Sequence, residues 1–255
     1  MIKFKQKGCK LNSRFLLIIL TLTISFCAYA EDFFLYSKYI PYLSKKDPQI
    51  VKSFYFKANT NTNKKIIALT FDDGPSENGY TLVPVLKKYK VPATFFWIAN
   101  RIPKYEINRY NSELFIIGVH TYSHLNYDKL TEKEILNDVE KALDIFHENN
   151  LNPKYFRPAY GIVNQGIVKA LRKNHLKGIL WSIDSMDWKY FENQQIIIQN
   201  VVNHLSPGSI ILMHETRTKP ETLEIIIKEI TKQGYKIVPL TEILKYPSKY
   251  PNDVN

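Results

Sequence analysis

From residue 65 to residue 240 the chain repeats one pattern: a short run of apolar, β-branched or aromatic residues, a longer amphipathic stretch, then another short run. Few folds accept that alternation. A strand followed by a helical crossover returns parallel to itself, so repeated units build a largely parallel sheet. Seven strands are expected, near residues 65–71, 93–98, 115–118, 154–157, 177–183, 209–213 and 236–240. Between them, Thr131 and Glu134 stand at capping-box spacing ahead of Ile135, Val139, Leu143 and Phe146, which predicts a helix over 131–148. Pro220 and Gly234 bracket a second helix over 220–233, with Leu223, Ile226, Ile227 and Ile230 as its buried stripe. No linker interrupts the series, and 255 residues suit one large core.

The first thirty residues differ. Five basic side chains (Lys3, Lys5, Lys7, Lys10, Arg14) precede an apolar run over 15–26 and the small-residue segment Ala28-Tyr29-Ala30. That order is a secretory signal peptide over 1–30, with an uncleaved anchor as the alternative, and it implies export to the periplasm, cell envelope or extracellular space. The apolar run is shorter than the ~20 residues a membrane span needs, so no stable span is expected in the mature chain. Cleavage after Ala30 would leave 30 basic against 24 acidic side chains and no cysteine, because Cys9 and Cys27 both precede it. Disulfides, a cysteine nucleophile and thiolate metal sites are thereby excluded, and any metal must take His and carboxylate ligands. The residual charge of +6 suits an anionic envelope polymer; without a nucleic-acid motif in an exported chain, nucleic acid is not an expected partner. Residues 31–62 show no clear period and are read as an N-terminal extension laid over a domain spanning 63–255.

In a parallel barrel the loops after the strands converge on one mouth. Five polar segments fall there. Asp72-Asp73-Gly74-Pro75 follows the first strand and is also ordinary turn chemistry. His120 and His124 follow the third, at a four-residue spacing that on a helical turn would put both imidazoles on one face. Two histidines and an aspartate suffice for a catalytic zinc with a position left for water. Arg157-Pro158-Ala159-Tyr160-Gly161, Asp184-Ser185-Met186-Asp187-Trp188 and Leu212-Met213-His214 end three further strands. Alone, these three read as a solvated turn, a packed loop and a hydrogen-bonded core histidine.

In order and position, however, TFDDGP, HTYSH, RPAYG, DSMDW and LMH resemble the signature of the polysaccharide deacetylases with a NodB-homology domain, carbohydrate esterase family 4, over residues 65 to about 245. The resemblance implies a distorted (β/α) barrel of about seven parallel strands, and a divalent metal (zinc first, cobalt or another ion as alternatives) used to remove acetyl groups from glycans. It implies Asp73, His120 and His124 as metal ligands and Asp72 as the general base, held ionised by Arg157. His214 would be the general acid, oriented and charged by Asp187. The backbone N–H of Tyr160 would stabilise an oxyanion, and Trp188 and Leu212 would wall the acetyl methyl group. Val119, Ala159 and Glu215 depart from the family's usual residues without removing a ligand or a proton carrier. An N-acetylglucosamine-type glycan is the leading substrate. An O-acetyl ester or small amide on the same site, or a non-catalytic glycan-binding protein, are the alternatives.

Overall fold

Residues 66–74 (IIALTFDDG) form the central strand of the sheet, and all but Asp73 are buried. A strand covered on both faces needs a continuous apolar run rather than an alternating one, which is what this segment supplies. The computed structural model describes residue 50 and residues 52–60 and 64–249. The signal peptide read over 1–30 and most of the extension read over 31–62 lie outside the described residues. Among the described residues, no helix is long and apolar enough to cross a membrane.

Nine strands are present among the described residues: β1 (Phe54–Tyr55), β2 (Ile66–Gly74), β3 (Ala93–Trp97), β4 (Phe115–Val119), β5 (Tyr155–Phe156), β6 (Lys177–Ile179), β7 (Ile183–Asp184), β8 (Ile210–His214) and β9 (Lys236–Ile237). They lie in the order β1-β6-β5-β4-β3-β2-β8-β7, with β9 also on β2, and every strand-to-strand pairing is parallel. The result is the expected distorted (β/α) barrel. All seven expected strand positions carry strand, but two details differ.

Residues 177–183 do not form one strand. β6 pairs with β5 and β1, whereas β7 pairs with β8 on the other flank. The intervening residues cross from one flank to the other, with Leu180 N–H donating to Tyr55 and Ser182 N–H to Ile210. The short β1 is the second difference: it lies inside the stretch read as an extension and adds a parallel strand to the free edge of β6. Two residues without periodic context carry no strand signal.

The crossover helices include α1 (Glu77–Lys88) and α2 (Glu132–Glu148), the latter opening with the Thr131/Glu134 capping box and burying Ile135, Val139, Leu143 and Phe146. Later come α3 (Gln165–Lys173), the one-turn α4 (Asp187–Tyr190), α5 (Gln194–Val202), α6 (Pro220–Lys232) and the short α7 (Leu240–Ile243). The apolar core they enclose runs from Ile50 to Ile243.

Candidate active site

The carboxyl ends of β2, β4, β5, β7 and β8 meet at one mouth, and every expected site residue lies on or just after one of them. Asp72 and Asp73 lie at the end of β2, where the strand is no longer regular. Asp73 takes a left-handed φ of 67°, and the pairing of β2 with β3 slips between Phe71 and Gly74. The kink turns Asp73 toward the histidines while Asp72 stays in strand register with His214 of β8.

Asp73, His120 and His124 each offer a ligand atom, and the three atoms lie within 4.8 Å of one another. Asp73 Oδ1 is 3.2 Å from Nε2 of His124 and 3.6 Å from Nε2 of His120. That oxygen is buried and has no hydrogen-bond partner, the expected state of a ligand atom prepared for a cation. His120 is tied at its other nitrogen: Nδ1 lies 2.8 Å from the carbonyl oxygen of Arg157, so Nδ1–H donates there and the Nε2 lone pair faces Asp73. Burial pulls the His120 imidazole below its usual pKa, although Asp72 and Asp73 oppose the shift. Burial would raise the Asp73 carboxyl, but His124, His120 and His214 together hold it well below the usual range. A neutral imidazole and an ionised carboxylate are the forms that bind a divalent metal, so the donor set fits one.

The helical turn expected over 120–124 is absent. Thr121 and His124 both have positive φ, 65° and 61°, so the segment is a loop. It is pinned instead by Asp138 of α2, whose carboxylate accepts from the Tyr122 N–H at 2.9 Å and the Tyr127 hydroxyl at 2.6 Å. The His124 N–H donates to the Thr121 hydroxyl at 2.8 Å. Nothing in the sequence at Asp138 distinguishes it from the surface acids of its helix.

Arg157 is wholly buried. Its Nη1 donates to Asp72 Oδ1 and to the Thr70 hydroxyl, both at 2.8 Å. Nε and Nη2 donate to the carbonyls of Ile179 and Leu180 at 3.2 and 3.0 Å. The break between β6 and β7 leaves those two carbonyls facing the guanidinium, which therefore closes the barrel flank and fixes Asp72 at once.

On the opposite side of Asp72, His214 Nδ1 lies 2.7 Å from Asp187 Oδ1, and the His214 N–H donates to Asp187 Oδ2 at 2.7 Å. Thr218 donates its hydroxyl to Oδ2 at 2.6 Å. Burial would lower the His214 pKa, but the charge and hydrogen bond of Asp187, helped by Asp72 and Asp73, push it up to about 9. Burial would raise Asp187, and His214 with Thr218 more than reverses it. Asp184 is a further, half-buried acid nearby: desolvation pushes it up to about 6, and its Oδ1 accepts from the Met186 N–H at 2.8 Å.

Tyr160 and Trp188 stand exposed at the rim, at 63% and 50%. Tyr160 has a left-handed φ of 59°, and its ring meets His124 edge-on with centroids 4.6 Å apart. Leu212 is buried on β8 two residues before His214, on the same side of the strand.

A family model for polysaccharide deacetylases matches residues 59–179. A peptidoglycan-N-acetylglucosamine deacetylase of Bacillus cereus is 33% identical over 194 residues, 72% of this chain and 90% of that protein. The chain belongs to the polysaccharide deacetylase family. It is thus placed among hydrolases that act on N-acetyl amide bonds. The peptidoglycan-N-acetylmuramic acid deacetylase PdaC of Bacillus subtilis is 34% identical over 71% of this chain, which spans only 39% of that relative's length. Among solved structures, a CE4 family pseudoenzyme known from Bacillus anthracis, in a mutant form with restored enzymatic activity, superimposes with a TM-score of 0.66. Its identity is 31%, covering 75% of this chain and 71% of that one. The family therefore includes both working and silent sites.

Proposed function

We propose that this protein is an exported, metal-dependent deacetylase that hydrolyses N-acetyl groups of an N-acetylglucosamine-type envelope glycan such as peptidoglycan. The observation that carries this reading is the unpartnered Asp73 Oδ1 aimed between two imidazoles, beside a carboxylate–arginine pair and a carboxylate–imidazole pair. Zinc fits the N,N,O donor set, with cobalt or another divalent ion as alternatives. A divalent cation held by Asp73, His120 and His124 would supply Lewis-acid polarisation of the acetyl carbonyl and acidify water at the mouth.

The remaining work belongs to the chain. Asp72, fixed by Arg157, takes a proton from the attacking water. His214, charged through Asp187, gives a proton to the departing amine, and each transfer supplies about 10² to 10⁴ in rate. The Tyr160 backbone N–H donates to the carbonyl oxygen as negative charge gathers there. Trp188 and Leu212 shelter the methyl group, and exposed Tyr160 and Trp188 offer faces to a sugar.

Acetate release separates this from the other readings. Zinc-loaded protein is expected to release acetate from N-acetyl-chitooligosaccharides or peptidoglycan faster than from acetylated xylan or small amides. Release from the esters or small amides alone would reassign the substrate. Release from none of them, with zinc bound, would mean a glycan-binding protein with a silent site.

A further inference from the structure

We infer that Glu215 is a positioning residue of this site: its carboxylate and backbone together fix the turn that carries Asp72 and Asp73 against the strand that carries His214. The inference rests on the deacetylase reading for its kinetic consequence, but not for its effect on metal binding.

Glu215 follows His214 and is completely buried. A buried carboxylate is costly unless each oxygen is hydrogen-bonded, and here donors converge on it. Oε1 accepts from the Ser76 N–H at 2.8 Å, the Ser76 hydroxyl at 3.1 Å and the Tyr110 hydroxyl. Oε2 accepts from the Trp97 indole N–H at 3.2 Å. Its backbone N–H donates to the Asp72 carbonyl at 2.8 Å. One residue therefore holds the turn at both ends, Asp72 through the main chain and Ser76 through the side chain, and Asp73 lies between. Arg101 adds a hydrogen bond to the Asp73 carbonyl.

The space around the carboxylate is reserved for it. A Cβ on Gly74 would fall 2.0 Å from Oε2, and a Cβ on Gly79 would fall 2.0 Å from Oε1. Asp73 needs this support because a left-handed backbone at an aspartate is intrinsically unfavourable, and because the ligand set loses its fit if the turn relaxes. The carboxylate is sealed among Ser76, Trp97 and Tyr110, so Glu215 acts through Asp72 and Asp73.

Glu215→Gln tests this, being nearly isosteric. The Ser76 N–H and the Trp97 indole N–H cannot turn round to accept, so either orientation of the amide sets an NH₂ against a donor. Zinc affinity of the folded variant, measured by calorimetry, is expected to fall at least tenfold, and the visible spectrum of the cobalt form to change. Turnover should fall at least tenfold with KM within twofold. Ile230→Ala, a buried change on α6, serves as the control: it should lower the melting temperature without moving zinc affinity or the cobalt spectrum. A folded Glu215→Gln protein with wild-type zinc affinity and spectrum overturns the inference, as does an Ile230→Ala protein that loses affinity equally. If Glu215→Gln does not fold, Trp97→Phe, which deletes one donor, replaces it: a threefold or greater loss of zinc affinity supports the role, and an unchanged value overturns it. Wild-type protein that binds zinc but releases no acetate would defeat the deacetylase reading alone.

Discussion

Asp72 of β2 and His214 of β8 are register partners on adjacent parallel strands, each gripped from behind by a residue of opposite charge. Arg157 holds the carboxylate at 2.8 Å and Asp187 holds the imidazole at 2.7 Å. Parallel strands lie about 4.8 Å apart, so this carboxylate and this imidazole face one small volume beside the candidate metal ligands. The two pairs are mirror images in charge: a cation stands behind the carboxylate and an anion behind the imidazole, and the anion helps to raise the His214 pKa.

Different substitutions at the two neighbouring aspartates separate their roles. Asp73→Ala should abolish zinc binding, whereas Asp72→Asn should keep zinc and lose about 10² to 10⁴ in turnover. Metal content and acetate release, measured on the same preparations, check both. Near-normal turnover in Asp72→Asn would remove it as the base.

Removing the guanidinium tests the other half of that pair. Arg157→Met keeps much of the stem but leaves Asp72 buried without its partner and frees the Ile179 and Leu180 carbonyls. Breaking a buried pair from one side costs about 3–5 kcal/mol, so urea denaturation should show a loss of that order. Asp72→Asn in the same chain should recover part of it, because the stranded charge is gone. Additive losses would mean that the guanidinium stabilises through Thr70 and the two carbonyls rather than through Asp72.

Parts of this arrangement were open to reading and parts were not, for physical reasons. β3, β4 and β8 fall within a residue of expectation and β2 runs three residues past it, because each is a short apolar run of the kind a covered parallel strand requires. The candidate site residues stood out in the sequence because each lies at or shortly after the carboxyl end of a strand. The loop holding His124 was misread as a helical turn, since the positive φ of Thr121 and His124 leaves no mark in residue type. β1 and the crossing between β6 and β7 are set by partners far away in sequence. Asp138, Thr218 and Glu215 work through tertiary hydrogen bonds, so their roles appear only once α2, β8 and the turn after β2 are packed together.

Proton donation to the leaving group should depend on what leaves. An amine departs poorly unless protonated, and an alkoxide less so. His214→Ala is therefore expected to slow acetate release from N-acetyl-chitooligosaccharides by at least tenfold more than release from an activated acetyl ester. Equal losses on the two substrates would remove His214 as the acid.

The same imidazole makes stability depend on pH with a fixed sign. His214 titrates at about 9 in the folded protein against 6.5 for the free side chain, so the folded state binds the proton more tightly. The resulting stabilisation is complete below pH 6.5 and fades as pH rises through 9. A shift of that size corresponds to a contribution on the order of 3 kcal/mol. Denaturant midpoints of metal-free protein, measured from pH 6 to 9.5, should therefore show the wild type losing its advantage over His214→Gln as the solution becomes alkaline. Chelation is essential to the comparison, because a cation on Asp73 would neutralise one of the charges that raise His214. A gap that stays constant across the range would mean that Asp187 does not hold His214 protonated in the folded chain.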